Sequence, residues 1–419
     1  MSRRLVQRVL VHRHGDRTPI TSIGSPELWR SVLPPSRELE ALARRFPERS
    51  GLSAHFSSGD PPFGQLSQLG LGQLAAVGQS QRRELLQALH PALGELSARR
   101  VHVRSSPISR CVQSSQALLG GLLGAEGAEA EVLVDTSLGQ LLLPDPHPRH
   151  PRQLELEAAV RNAAASAPVQ EEAELRERCA AALVGAGSVV SLDVLQKEGA
   201  VSWNRLAEVA KCLAVHAPSS SPLSEEDVCA IVHAAASGWW QLMRDRELSS
   251  FAIGGFLCVA LRSLVEAADE VLALGGGRDE QPLLSCFSCH DSSIIALMSA
   301  LRLRHGDGAT VNQWPPYAST LSLDLLADED AGQAFVQAKY NGEAMLMDGM
   351  HCREGGGGND ALMPKVRLLA SAAGAAGVAP PAAAADTHSP RRLRSTTQPT
   401  RCSLCCGTRR TCRWPRPAT

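Results

Sequence analysis

The sequence predicts an α/β fold: a mixed central sheet flanked by helices, with an inserted, mostly helical cap subdomain. Three observations lead there. Apolar runs of strand length end in polar turns and give way to helical spacing, first near the start of the chain and again over residues 283–303. Two late runs, residues 320–326 and 334–340, have the look of an antiparallel pair, which makes the sheet mixed. The stretch 141–250 holds polar helical segments and no convincing strand. The expected organisation is a discontinuous core (1–140 and 251–354), a cap (141–250) and a low-complexity tail (355–419).

The first element is a buried strand over residues 5–12, which runs into the polar turn Arg13-His14-Gly15-Asp16-Arg17-Thr18-Pro19. Residues 20–64, rich in Pro, Ser and Gly, read as an excursion over the surface. Helical spacing follows over 68–89, with Leu69, Leu74, Val77, Leu85 and Leu86 apolar, and Pro91 ends it. Residues 101–104 form a second short strand. Ser105-Ser106-Pro107 then opens a helix to about residue 123, a proline being tolerated in a first turn. After the cap, residues 254–274 are a helix, 283–289 a strand and 291–303 a helix. From about Gly355 the pattern decays, and residues 391–416 carry eight Arg and no acid, too little apolar surface to order a core.

Composition narrows the function classes. The formal net charge of the 419 residues is -1, so no global field draws the chain to nucleic acid or membrane, and no nucleic-acid partner is expected. No run of about 18 apolar residues marks a transmembrane helix. Residues 5–11 are too short, and interrupted by Arg8, for a secretory leader. The expectation is a cytoplasmic chain, or an organellar or secreted one if the N-terminus is truncated. Of the 12 Cys, Cys286 and Cys289 are spaced like a redox or zinc pair, but positions three apart on a strand face opposite ways. They read as buried thiols. Cys402, Cys405, Cys406 and Cys412 are spaced loosely like zinc ligands without a frame to support them.

Chemistry concentrates where strands end. Arg13-His14-Gly15-Asp16-Arg17 follows the first strand, His290-Asp291 follows a later one, and Arg104 ends another. In an open α/β sheet, ligands bind beyond the carboxyl ends of strands. Guanidinium groups grip phosphate oxygens bidentately. A neutral imidazole among them is a competent nucleophile toward phosphorus. Gly15 lets backbone pack close to a ligand, and Asp291 is the candidate acid for a leaving alkoxide. Each piece alone has a plainer reading: an Arg-His at a strand end is usually a solvated pair, and a His-Asp is often a structural hydrogen bond. Their combination points to one phosphate.

The heptapeptide Arg13–Pro19 resembles the signature of the histidine acid phosphatases, branch 2 of the histidine phosphatase superfamily. Gln65-Leu66-Ser67-Gln68-Leu69-Gly70 with Gln73, Gly78 and Arg82 is similar to the family's first long helix. Val103-Arg104-Ser105-Ser106 with Arg110 resembles the segment bearing its third phosphate-binding arginine, and Cys289-His290-Asp291 matches its distal His-Asp. Trp314-Pro315-Pro316-Tyr317-Ala318 and residues 335–342 look like late strands of members that act on lysophosphatidate. The likeness runs from about residue 5 to 345 and is poor over 141–250.

The resemblance implies a phosphoglycerate-mutase-like core and a phosphomonoesterase that needs no metal or other cofactor. His14 would be the phosphorylated nucleophile, and Asp291 the general acid and then base. Arg13, Arg17, Arg104 and His290 would clamp the phosphate. Lysophosphatidate is the first substrate expected. An inositol-polyphosphate or sugar-phosphate phosphatase is the alternative, with Lys197 and Arg205 as cap residues for a larger polyanion. A non-catalytic phosphate-binding module is the competing class. Asp16 would repel phosphate unless turned away or paired. Oligomeric state is left open.

Overall fold

The computed structural model describes residues 3–51, 53, 60–88, 97–124, 132–137, 151–165, 170–185, 190–274, 282–328 and 333–347, with the backbone of 363–364. The chain divides into two compact units, Met1–Gly377 and Val378–Thr419, and all of the described residues belong to the first. The tail expected over 355–419, with its four cysteines, lies outside the described residues except for 363–364.

The elements in order are β1 (Arg4–Arg13), α1 (Pro26–Arg30), α2 (Ser36–Arg45), α3 (Gln68–Ala88), β2 (Val101–Ser105), α4 (Ser109–Leu123), β3 (Val134–Asp135), α5 (Pro151–Ala165), α6 (Gln170–Val184) and α7 (Leu192–Leu195). Then come β4 (Gln196–Lys197), β5 (Ala200–Val201), α8 (Trp203–His216), α9 (Glu225–Arg244), α10 (Arg246–Leu274), β6 (Leu284–Cys289), α11 (Asp291–Ala300), β7 (Leu303–Arg304), β8 (Thr320–Asp328), β9 (Gln333–Tyr340), β10 (Glu343–Met347) and β11 (Met363–Pro364).

Among the described residues the central sheet has nine strands in the order β3-β2-β6-β1-β8-β9-β10-β7, with β11 on β9. The β3, β2, β6 and β1 neighbours pair parallel. From β1 through β8, β9 and β10 to β7 the pairing is antiparallel. The sheet is therefore mixed, as the sequence predicts.

β1 is a near-continuous apolar run because helices cover both sheet faces. Its alternate residues enter different cores: Val9 and Val11 join the cluster under α9, α10 and α11, and Leu10 joins the one under α3 and α4. Cys286 and Cys289 are free thiols that fall into these two clusters on opposite faces, as strand periodicity requires. Arg8 interrupts the run without breaking the strand. Its guanidinium donates twice to Asp324, its register partner on β8, at 2.7 Å each, and once to Gln81 of α3.

Several boundaries differ from expectation. Pro107 lies before α4, which is capped at Ile108. The helix after β6 stops at Ala300, and Leu303–Arg304 is strand. Residues 196–201 hold a two-strand hairpin inside the region read as mostly helical, with no convincing strand. α10 begins at Arg246 and so crosses the expected cap boundary at 250. By length and composition its span Arg246–Asp269 could cross a membrane, which the sequence reading did not see; half of its apolar window is buried, as in a core helix. The segment after β1 is not a bare surface excursion either. Ile23, Trp29 and Phe63 are buried with residues of α6, α8 and α9 in a third core.

Candidate active site

The three parallel strands β1, β6 and β2 end at one level. Arg13 is the register partner of Cys289, and Ser105 that of Ser288. The His14 and Ser106 amides continue the ladder, donating to the carbonyls of Cys289 and Ser288. His14 and His290 thus leave adjacent strands side by side, their ring centroids 5.4 Å apart. β8 arrives antiparallel beside β1, so the loop before it, with Trp314, Pro315 and Tyr317, borders the same rim.

Nδ1 of His14 lies 2.8 Å from the carbonyl oxygen of Gly15. A carbonyl only accepts, so Nδ1 carries the proton and Nε2 keeps its lone pair. Burial first, then Arg110, Arg13, His290 and Arg17, hold the imidazole well below its ordinary pKa of 6.5. It is neutral over the physiological range. Arg13, Arg17, Arg110 and His290 are each under a tenth exposed. Burial and then Arg17 push the Arg110 guanidinium down to about 10, so it remains charged at neutral pH. Nη2 of Arg110 is 3.5 Å from Nδ1 of His290, whose Nε2 is 3.1 Å from the Ser106 hydroxyl.

Asp291 opens α11. Its Oδ2 accepts from Arg13 Nη2 at 2.6 Å and from the Trp314 indole at 2.9 Å. Burial raises its pKa, but Arg13, Lys211, His290 and Arg17 outweigh this and keep the carboxyl ionised. Arg13 also donates to the Pro315 carbonyl and lies 4.1 Å over the Tyr317 ring.

α8 contributes a second set. Glu208 accepts from Arg17 at 2.9 Å and also from the Ile20 amide. Lys211, one turn on, is buried, its Nζ 4.4 Å from the Trp314 ring centroid. Burial first and Arg13 next push its pKa down to about 7. Four basic side chains, Arg13, Arg17, Arg110 and Lys211, therefore face two carboxylates, Asp291 and Glu208. The pocket is short of negative charge, as an anion site should be.

Asp16 is turned away from this pocket. Its Oδ2 accepts from the Ser67 hydroxyl and from Nε2 of His216, both at 2.6 Å. The carboxylate thereby ties the turn after β1 to the start of α3 and the end of α8. Gly15 serves the same contact rather than a ligand: a Cβ there would sit 2.4 Å from the Gly70 carbonyl oxygen, and one on Gly70 would sit 2.1 Å from that of Asp16.

Arg104 is not brought together with the other predicted site residues. Its side chain is about a third exposed and points to Asp135 on β3, Nε to Oδ2 at 4.0 Å. It is not among the main charges acting on His14 or Asp291, whereas Arg110 leads the charged neighbours of His14. Arg104 is still within the strand, and the arginine that reaches the pocket comes from the first turn of α4. Lys197 is exposed beside Glu198, and Arg205 donates to the Val194 and Gln196 carbonyls, so neither cap residue lines this pocket. Lys211, Glu208 and His216 were missed. Their signal was present: Lys211 interrupts the otherwise apolar buried face of α8 formed by Leu206, Ala207, Val209, Ala210 and Leu213.

A family model described as the histidine phosphatase superfamily (branch 2) matches residues 4–198. Lysophosphatidic acid phosphatase type 6 of Mus musculus is 23% identical over 363 residues, which covers 81% of this chain and 79% of that protein. The solved phytase from Citrobacter braakii superposes with a TM-score of 0.58 at 13% identity, over 88% of this chain and 97% of that one. Multiple inositol polyphosphate phosphatase of Bifidobacterium longum, solved with inositol hexasulfate, gives a TM-score of 0.54 at 13% identity, over 90% and 93%. At such identities the structural matches speak for the fold.

Proposed function

We propose that this phosphomonoester hydrolase, similar over residues 4–198 to branch 2 of the histidine phosphatase superfamily, works through a phosphohistidine on His14. One observation carries the reading: the Gly15 carbonyl fixes the proton on Nδ1, leaving a bare Nε2 among buried arginines.

The phosphoryl group binds among Arg13, Arg17, Arg110 and His290, with Arg110 in the role first given to Arg104. Nε2 attacks phosphorus as the bond to the ester oxygen breaks. Asp291 supplies the proton to that oxygen. The carboxyl is ionised in the free pocket, so the proton arrives with a monoanionic substrate, whose negative charge also raises the proton affinity of Asp291. Once the alcohol leaves, the Asp291 carboxylate takes a proton from water, the oxygen attacks the phosphohistidine, and phosphate and His14 are released. The fixed guanidinium groups face the charge that develops in transfer, the kind of electrostatic stabilisation on which phosphoryl transfer depends.

The chain's division into core (1–140 and 251–354) and cap (141–250) belongs to this proposal. The buried cluster around Trp29 adds Ile23, Trp29 and Phe63 to the cap side, while Phe46 between them packs with the core under α3 and α4, and α8 is the cap's contribution to the pocket. Lysophosphatidate is the preferred substrate, in line with the name of the relative above. A highly charged inositol polyphosphate would need further cations at the rim, and Lys197 and Arg205 do not supply them.

The test is phosphate release by purified protein from lysophosphatidate, inositol hexakisphosphate, a sugar phosphate and an aryl phosphate, with chelator present. We expect lysophosphatidate to give the highest kcat/KM among the alkyl esters, and His14→Ala to abolish turnover with the fold intact. Turnover at the wild-type rate in that variant would end the reading.

A further inference from the structure

Lys211 is a buried cation with nothing obvious to hold it. It is 6% exposed. Among the described residues no carboxylate lies within ion-pair distance of Nζ and no acceptor takes a hydrogen bond from it. Its contacts are the faces of Trp314 and Tyr317, with Nζ 4.4 and 5.6 Å from the ring centroids. Ring faces attract a cation, but they do not replace the hydration an ammonium gives up on burial. Arg13 and Arg17 oppose its charge, and Asp291 favours it. Such a placement costs stability unless an anion enters beside it.

Two further observations locate that anion. The buried Tyr317 hydroxyl has no hydrogen-bond partner and belongs to the ring that Lys211 faces. Lys211 ranks second only to Arg13 among the charges that hold Asp291 ionised, yet it is not among the main charges acting on His14. Lys211 therefore sits on the Asp291 side of the pocket.

We propose that Lys211 is a substrate-contact residue whose Nζ donates to an oxygen of the bound phosphoryl group on the Asp291 side, with the Tyr317 hydroxyl beside it as a second donor. This rests on the reading of the pocket as a phosphomonoesterase site. The cap thus supplies a fourth cation to the phosphate, one that loses its charge as the solution turns alkaline.

Sulfate is the probe, because its charge is constant over the range used. Binding is measured by titration calorimetry on the full chain as wild type, Lys211→Met, Lys211→Arg and Lys197→Met. The titratable groups facing Lys211 are Arg13, Arg17, Glu208, Cys212, Asp291 and Tyr317, and all are common to wild type and Lys211→Arg. At about pH 6 we expect Lys211→Met to bind at least roughly tenfold more weakly than wild type, Lys211→Arg within about threefold of it, and Lys197→Met unchanged. Between about pH 6 and 8 the wild-type affinity should fall roughly tenfold more than that of Lys211→Arg, since the lysine must regain a proton to bind. This second comparison stands even if Lys211→Met fails to fold. Equal affinities in wild type and Lys211→Met, or parallel pH curves in wild type and Lys211→Arg, would overturn the proposal while leaving the reading of the pocket as a phosphomonoesterase site in place. A wild type that turns over no phosphomonoester and binds no sulfate would remove the reading of the pocket itself, and the proposal with it.

Discussion

His14 can act as a nucleophile only as a neutral ring with Nε2 bare, and its neighbours set both conditions. The Gly15 carbonyl chooses the tautomer, and burial among arginines keeps the second proton off. Arg110 and Arg104 separate the pocket from its surroundings at the same scale. Arg110→Ala should lower kcat by on the order of 10² to 10³, the usual loss for one preorganised donor. Arg104→Ala should stay near wild type, since that side chain faces Asp135 and solvent. Steady-state kinetics on one substrate checks both, and a reversed order would restore Arg104 to the clamp. Asp291 is tested by the leaving group. A glycerolipid alkoxide needs a proton and a nitrophenolate hardly does. Asp291→Asn should therefore cost about 10² to 10⁴ in kcat/KM with the alkyl ester, and far less with the aryl ester where phosphorylation of His14 limits both. Equal losses would take the acid role from Asp291.

Between elements the site depends on close approach. The turn after β1 and the start of α3 touch backbone to backbone at Gly15 and Gly70, and a Cβ on either would fall inside van der Waals contact with main-chain atoms that cannot swing away. Gly70→Ala should therefore displace the turn that carries His14 and Arg17, lowering kcat/KM and Tm together. A variant with normal Tm and activity would show that the approach is not required. Elements of this kind differ in how far the sequence reveals them. β1 and β6 were legible because strands buried on both faces read as continuous apolar runs, and their polar ends marked the rim. The helix 203–216 was legible only as one of the polar helical segments, because the contacts of Glu208, Lys211 and His216 are with Arg17, Trp314 and Asp16, far away in the chain. Arg110 was less legible than Arg104 for a related reason. Strand ends were the guide, and the arginine that acts most on His14 belongs to the next helix. Trp29 was hidden by the composition of its surroundings, since Pro, Ser and Gly suggested surface where a third buried cluster lies with residues of α6, α8 and α9.

Over the whole molecule, the pocket keeps Lys211 buried without a carboxylate in ion-pair contact among the described residues. Lys211 has a folded pKa of about 7 against an ordinary 10.5. Between those values the unfolded chain keeps a proton that the folded chain has released, so stability rises with pH through that window, and below it the buried charge carries its full cost. Lys211→Met should therefore raise Tm, with a larger gain at about pH 6.5 than at about pH 9.5, in keeping with the trade between stability and function. Scanning calorimetry at the two pH values decides it, and an equal gain at both would locate the effect in packing instead. The strand order has a consequence of another kind. β1 and β2 never touch, because β6 lies between them. β6 begins at Leu284, about 280 residues after β1 starts, and β8 is later still. At ~5–20 residues per second, a ribosome leaves the apolar β1 without either partner for roughly 15–55 seconds. The nascent chain must shield that segment through most of its own synthesis, and enzyme activity can appear only once synthesis has passed Asp291 and Tyr317, about three quarters of the way along the 419 residues.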